Sequence, residues 1–206
     1  MPTYKIVLIG DSSVGKTSLV TKFAYKRFVD HSSSTIGASF TSYDMNIDDE
    51  KLRLNIWDTA GQERYRSMVT IYYRDVHFGI LVFDISNYKI KDIKYWINEY
   101  LYKTNSKKSR FLLVGNKCDL LEDDQNQHED LEKLAKKYCT KIFKTSSKSG
   151  YNVEKIFEYM GKELVNMPLH EKLNLGEKYL TINEENTWSL TNAKLSDVKL
   201  NNCCNI

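Results

Sequence analysis

Apolar positions along this chain fall into two regimes: short unbroken runs, and longer stretches with an apolar residue every three or four positions. Residues 4–9 (YKIVLI) form a run too short for a helix and closed by Gly10, which predicts a buried strand. In residues 17–25 the apolar positions Leu19, Val20, Phe23 and Ala24 share one helical face. After a polar loop over 30–37, residues 38–47 and 52–57 predict an antiparallel hairpin around the acidic turn 48–50. Residues 65–74 predict a short helix. Residues 78–83 (FGILVF) are the most apolar strand, suited to the middle of a sheet covered on both faces. Helical spacing returns at Ile90, Ile93, Trp96, Ile97, Tyr100 and Leu101, and a buried strand at 111–114. Leu131, Leu134, Ala135 and Tyr138 mark another helix, 141–144 a last short strand, and Val153, Ile156, Phe157, Met160 and Leu164 the final helix.

Strands alternating with helices imply right-handed crossovers. The expected fold is α/β: a six-stranded, mostly parallel sheet with one antiparallel strand and helices on both faces. The pattern dissolves near Met167. Pro168 ends the helix, and 169–202 has no sustained periodicity and many Asn, Lys and Glu residues. A domain over 3–166 followed by a flexible tail over 167–206 is the expected organisation.

Composition narrows this only at the edges. The 206 residues are 41% hydrophobic with 14 Tyr and 8 Phe, enough for a sizeable core. A net charge of +3 is too small for a nucleic-acid footprint, so no nucleic-acid partner is expected. Cys118, Cys139, Cys203 and Cys204 make no disulfide or zinc pattern, and the four histidines are scattered. No charged leader with a long apolar core opens the chain, Pro2 stands where myristoylation needs Gly, and no apolar run approaches a membrane span; a cytosolic product is expected.

Candidate chemistry concentrates after the strands, where ligands bind in such sheets. Gly10-Asp11-Ser12-Ser13-Val14-Gly15-Lys16-Thr17 lies between a predicted strand and helix, the context of a phosphate-binding loop. Its glycines let successive N–H groups converge on one anion, and the helix start adds its positive end. Lys16 would reach the β- and γ-phosphates and the Thr17 hydroxyl would bind Mg²⁺. The loop specifies a nucleoside triphosphate without choosing the base. Asp58, at the end of the second hairpin strand, suits Mg²⁺; Gly61 can bring its N–H to a γ-phosphate, and Gln62 can orient an attacking water. In Asn116-Lys117-Cys118-Asp119, the Asp119 carboxylate matches the N1–H and 2-amino donors of guanine, which adenine lacks. Asn116 would brace the loops, and the Lys117 stem would cover a purine face. From these residues alone, a P-loop kinase or ATPase and a scaffold with structural nucleotide also remain open.

Four motifs in order, residues 10–17, 57–63, 116–119 and Thr145-Ser146-Ser147-Lys148, resemble the Ras superfamily of small GTPases over roughly residues 3–166. The resemblance implies the P-loop GTPase fold and slow GTP hydrolysis with Mg²⁺ and bound GTP or GDP. It also implies nucleotide contacts from Ser13, Val14, Gly15 and Ser18, and Mg²⁺ and γ-phosphate binding by Thr35. Phe28 would pack edge-on against the base, and Ser146, Ser147 and Lys148 would give backbone contacts to guanine. Ser147 stands where the motif usually has alanine. Ile36-Gly37-Ala38-Ser39-Phe40, residues 58–65, Tyr72-Tyr73-Arg74 and residues 81–87 (LVFDISN) are similar to the Rab family. That likeness implies an aromatic effector surface of Phe40, Trp57 and Tyr72. The implied partners are an exchange factor, a GTPase-activating protein, a GDP-dissociation inhibitor or escort protein, and state-dependent effectors. Ala38-Ser39 leans toward the endosomal branch; Asp75 departs from the usual glycine after Tyr-Tyr-Arg.

Cys203-Cys204 near the end resembles the double prenylation site of Rabs, with a single site at Cys203 as the alternative reading. From Met167 onward four Lys stand against five acids, a net of −1, so no polybasic second anchor is expected and two lipids would be needed for stable attachment. The expected location is the cytoplasmic face of an intracellular membrane, reached through that lipid anchor.

Overall fold

The computed structural model describes residues 1–30, 35–61, 70–104, 110–121 and 128–168. Six strands, β1 (Thr3–Ile9), β2 (Ala38–Ile47), β3 (Glu50–Thr59), β4 (Phe78–Asp84), β5 (Phe111–Asn116) and β6 (Ile142–Lys144), form one sheet in the order β2-β3-β1-β4-β5-β6. Only the β2–β3 pair is antiparallel; β1 pairs in parallel with β3 and β4, β4 with β5, and β5 with β6. The helices among the described residues are α1 (Lys16–Tyr25), α2 (Ile90–Lys103), α3 (Glu129–Lys137) and α4 (Val153–Val165).

Strand alternation divides the core into two layers. Ile6 and Leu8 of β1, Ile80 and Val82 of β4, and Leu112 and Val114 of β5 pack with α1 and α4, where the Phe23 and Phe157 rings stack at 3.6 Å. Their neighbours Val7, Ile9, Leu81, Phe83 and Leu113 face the other way, onto Trp96, Ile97 and Tyr100 of α2 and Leu131 and Leu134 of α3. Both faces of β1, β4 and β5 are therefore buried, which is why those strands read as unbroken apolar runs.

Several expected boundaries move. The hairpin turn is shorter than the acidic tripeptide: Glu50 already pairs with Ile47, leaving Asp48-Asp49 between the strands, and Asp48 takes φ 50. An aspartate tolerates that left-handed backbone. β3 runs on to Thr59 and β5 to Asn116, so Asp58 and Asn116 are last-turn strand residues and not loop residues. Of the helix expected over 65–74, the described part, Thr70–Tyr73, is a single 3₁₀ turn; residues 62–69 lie outside the described residues. The tail from 169 onward lies outside them too.

The end of the sheet opposite the strand carboxyl ends is closed by His77. Its Nδ1 accepts the Lys5 backbone N–H at 3.0 Å, and its own backbone N–H donates to the Lys5 carbonyl at 2.9 Å. Burial lowers the imidazole pKa to about 4, with Asp75 opposing and Lys5 adding to the shift. The folded protein thus binds fewer protons here than the unfolded chain, whose His titrates near 6.5, and this stability is lost as pH falls from about 6.5 toward 4. The expected loss is about 3 kcal/mol. Thermal melting across that range should show a shallower acid limb for His77→Asn, whose amide oxygen can still accept the Lys5 N–H.

Candidate functional site

Parallel strands point their carboxyl ends the same way, so the loops after β1, β3, β5 and β6 meet. With Phe28, Val29, Asp30 and Thr35 of the α1–β2 connection they line a cavity of about 700 Å³, the size of a nucleotide-scale ligand site. Ser13, Gly15, Lys16, Thr17, Ser18, Phe28, Thr35, Gly61, Asn116, Lys117, Asp119, Ser147 and Lys148 all line it, as the sequence predicts. Val14, Asp58 and Ser146 do not. The Val14 carbonyl turns to the Asn116 amide at 2.9 Å. Ser146 is fully buried in its own turn: its N–H donates to the Tyr151 carbonyl and its hydroxyl accepts the Ser149 N–H, both at 3.1 Å. Gln62, Cys203 and Cys204 lie outside the described residues.

Lys16 opens α1 and folds back over the loop that precedes it. Its ammonium donates to the carbonyls of Gly10 at 2.9 Å and Asp11 at 2.7 Å. Only 6% of the residue is exposed, and burial lowers its pKa to about 8 against the opposing pull of Asp58 and Asp11. A cation so poorly solvated is poised for an anionic ligand.

Beside it, Thr17 donates to Asp58 Oδ2 at 2.6 Å, so in its 2.9 Å contact with Thr35 the Thr35 hydroxyl is the donor. Ser39 donates weakly to the same Oδ2 at 3.4 Å. Asp58 is 1% exposed and its other oxygen, Oδ1, is buried without a hydrogen-bond partner. Burial raises its pKa, with Thr17 and Lys16 opposing. An orphaned carboxylate oxygen on Asp58, with the paired Thr17 and Thr35 hydroxyls on the side of its other oxygen, is a hard, all-oxygen donor set, and these residues fit Mg²⁺.

Asn116 ties three segments together. Its amide donates to Val14, and its Oδ1 accepts the Ser147 N–H at 3.0 Å, the Ser147 hydroxyl at 3.1 Å and the Thr145 hydroxyl at 3.4 Å. A Cβ on Gly15, which has φ 94, would overlap the Asn116 amide, so only glycine lets the phosphate loop approach this closely. The hydroxyl at Ser147 thus joins the brace as an additional donor.

Three features went unread in the sequence. Val29, Asp30, Thr59 and Leu120 also line the cavity. Asp84, at the carboxyl end of β4, accepts Lys117 Nζ at 2.7 Å, and burial of its carboxyl is outweighed by the Lys117 and Ser86 hydrogen bonds, which hold its pKa below the usual range. Its place at a strand end, like that of Asp58, was the available signal. The third is Trp96 in α2, whose indole N–H donates to Asp11 Oδ1 at 3.0 Å. Trp96→Phe removes this bond to the phosphate loop, worth about 1 kcal/mol, so the fold should melt lower by about that much and nucleotide release should quicken by up to roughly fivefold.

The predicted effector aromatics also come together. Phe40 and Trp57 face each other in the β2–β3 register with centroids 5.1 Å apart, and Tyr72 lies 5.1 Å beyond Trp57. Phe40 is 52% exposed.

The family model of the Ras family matches residues 5–166 of this chain. Ras-related protein Rab-19 from Homo sapiens is 40% identical over 164 residues, covering 79% of this chain and 75% of that protein. Ras-related protein Rab-8B from Homo sapiens is 42% identical over 172 residues, covering 83% and 82%. Ras-related protein Rab-13 from Bos taurus is 36% identical over 204 residues, covering 98% and 96%. The chain belongs to the Rab family of the Ras superfamily. As a small GTPase of this family it binds GTP and GDP and hydrolyses GTP to GDP and phosphate. The hydroxyls of Thr17 and Thr35, the buried Lys16 and the Asp119 carboxylate line the same cavity of this GTPase.

Proposed function

We propose that this protein is a nucleotide-driven switch in vesicle traffic, with residues 3–166 as the switch and 167–206 as its membrane tether. The observation that carries the reading is that Lys16, Thr17 and Thr35 line one cavity with Asp119, with the Asp58 carboxylate bonded to Thr17. Lys16 holds the β- and γ-phosphates, with Ser13, Gly15 and Ser18 around them. Asp119 selects guanine, while Phe28, Lys117, Ser147 and Lys148 enclose the base. Thr17, Thr35 and Asp58 would hold Mg²⁺, which supplies charge neutralisation at the phosphate oxygens. Gln62 orients the attacking water. Catalysis of this kind is positioning and charge stabilisation, on the order of 10⁻⁴–10⁻³ s⁻¹ without an activating partner.

The γ-phosphate holds the segments of Thr35 and Gly61, and its loss releases them. A Cβ on Gly61 would overlap the Asp11 backbone, so this segment sits against the phosphate loop and is placed to sense what the loop holds. Phe40, Trp57 and Tyr72 present that state to effectors. An exchange factor, a GTPase-activating protein and a GDP-dissociation inhibitor or escort protein complete the cycle. Prenylation of Cys203 and Cys204 anchors the chain to the cytoplasmic face of an intracellular membrane, which we read as endosomal from Ala38-Ser39. No helix among the described residues is long and apolar enough to cross a membrane.

Competition with bound, fluorescently labelled GDP tests the base: GDP displaces it and ATP at the same concentration does not; equal displacement by ATP overturns the reading. Single-turnover hydrolysis should slow markedly in Gln62→Leu, and an unchanged rate would instead support a structural nucleotide. Intact mass from native membranes should show two prenyl groups; imaging of the Cys203→Ser/Cys204→Ser protein should show a cytosolic signal.

A further inference from the structure

Lys117 is charged, yet nothing in the proposed cycle uses its charge. It sits at φ 63, a left-handed backbone conformation that turns the chain sharply out of β5. Its side chain has four rotatable bonds and would sweep a wide arc if its end were free. The end is held: Nζ lies 2.7 Å from Asp84 Oδ2, with side-chain exposures of 33% for the lysine and 20% for the aspartate.

Asp84 is itself held from two sides. Its Oδ1 accepts the Ser86 backbone N–H at 3.0 Å and the Ser86 hydroxyl at 2.6 Å. Its backbone stands opposite Asn116 in the parallel β4–β5 register, one residue from Lys117. The following loop is pinned elsewhere too, because the Tyr88 hydroxyl donates to Asp130 at 2.8 Å. The carboxylate is therefore rigid before the lysine reaches it.

We propose that Asp84, fixed by Ser86, is a positioning residue that stretches the Lys117 stem along the cavity wall and so sets how long a purine nucleotide stays bound. The inference rests on the proposed guanine-nucleotide site and adds a control on residence time that is blind to base identity. Lys117 meets the purine through methylenes, and methylenes do not distinguish guanine from hypoxanthine, which lacks only the 2-amino group. Asp119 does distinguish them. The two carboxylates thus divide the work: one reads the base and the other keeps the wall in place.

The test is nucleotide release from full-length protein loaded with GDP or with inosine diphosphate, followed by dilution into unlabelled nucleotide. Asp84→Asn keeps the shape and removes the charge. It should speed release of both nucleotides by the same factor, about tenfold, and Ser86→Ala should do so to a smaller extent. In a Lys117→Met background, Asp84→Asn should add nothing, since the group it positions is gone. Asp84→Glu should restore part of the wild-type residence time. The far-UV circular dichroism of each GDP-loaded variant should match wild type and its melting in excess GDP should fall by no more than the weaker binding itself accounts for, and Ser86→Ala carries the test if Asp84→Asn melts lower than that. Wild-type release in Asp84→Asn overturns the inference, as does an equal acceleration in the Lys117→Met background or an effect on GDP alone. A wild-type protein that binds neither nucleotide overturns the inference and the switch reading together; one that binds both while Asp84→Asn changes nothing overturns only the inference.

Discussion

Asp119→Asn is expected to move the preference of this protein from guanine to xanthine nucleotides. The carboxylate accepts two donors, the guanine N1–H and 2-amino group. An amide at the same place keeps one acceptor and sets its own N–H against the 2-amino group. Xanthine carries a carbonyl where guanine carries that amine, so the amide N–H gains a partner there. Hydrogen bonds to a charged group are worth about 1.5–3 kcal/mol each, so losing one and weakening the other to a neutral bond of about 1 kcal/mol predicts a roughly 10²- to 10³-fold weaker affinity for GDP. Asp119 is exposed at the cavity wall, and its replacement should leave the fold alone. Competitive titration of GDP against xanthosine diphosphate reads the change, and an unaltered preference for GDP removes Asp119 from the role of base selector.

The residues most legible in the sequence are those whose chemistry is fixed by a contiguous motif. Lys16, Thr17, Asn116 and Asp119 could be placed at one cavity because residues 10–17 and 116–119 are contiguous motifs that follow strands. The sheet was equally legible, since burial on both faces leaves β1, β4 and β5 as unbroken apolar runs. What stayed hidden depends on register. Asp84 matters because β4 lies beside β5 and sets it opposite Asn116, a pairing that no local window contains. Trp96 reads as a core residue and is one, 3% exposed, but its indole N–H points at Asp11, 85 residues away. Ser146 went the other way. It sits inside a motif, yet backbone bonds with Tyr151 and Ser149 turn it from the cavity and leave Ser147 and Lys148 to line it. Strand ends showed the same limit in miniature, because polar Asp58 and Asn116 end a hydrophobic pattern before they end the ladder.

Asp58 should give the largest metal-linked effect, and Asp58→Asn the cleanest measurement of it. The carboxylate is almost fully buried, one oxygen is held by Thr17 at 2.6 Å, and the other has no hydrogen-bond partner. Burial raises its pKa, which means that keeping it charged costs the nucleotide-free protein stability. A group that costs stability without a ligand and matches a hard cation in its presence is the pattern expected of a metal ligand. The amide variant keeps an acceptor for Thr17 and removes the charge. Its nucleotide-free form should melt no lower than wild type. Its GDP complex should release on the order of 10²-fold faster in Mg²⁺, because removing one partner of a buried charge pair costs about 3–5 kcal/mol. Chelation with EDTA should greatly accelerate release from wild type and add nothing further in the variant. A variant that still responds to EDTA as wild type does would remove Asp58 from the metal site and leave its orphaned oxygen without a function.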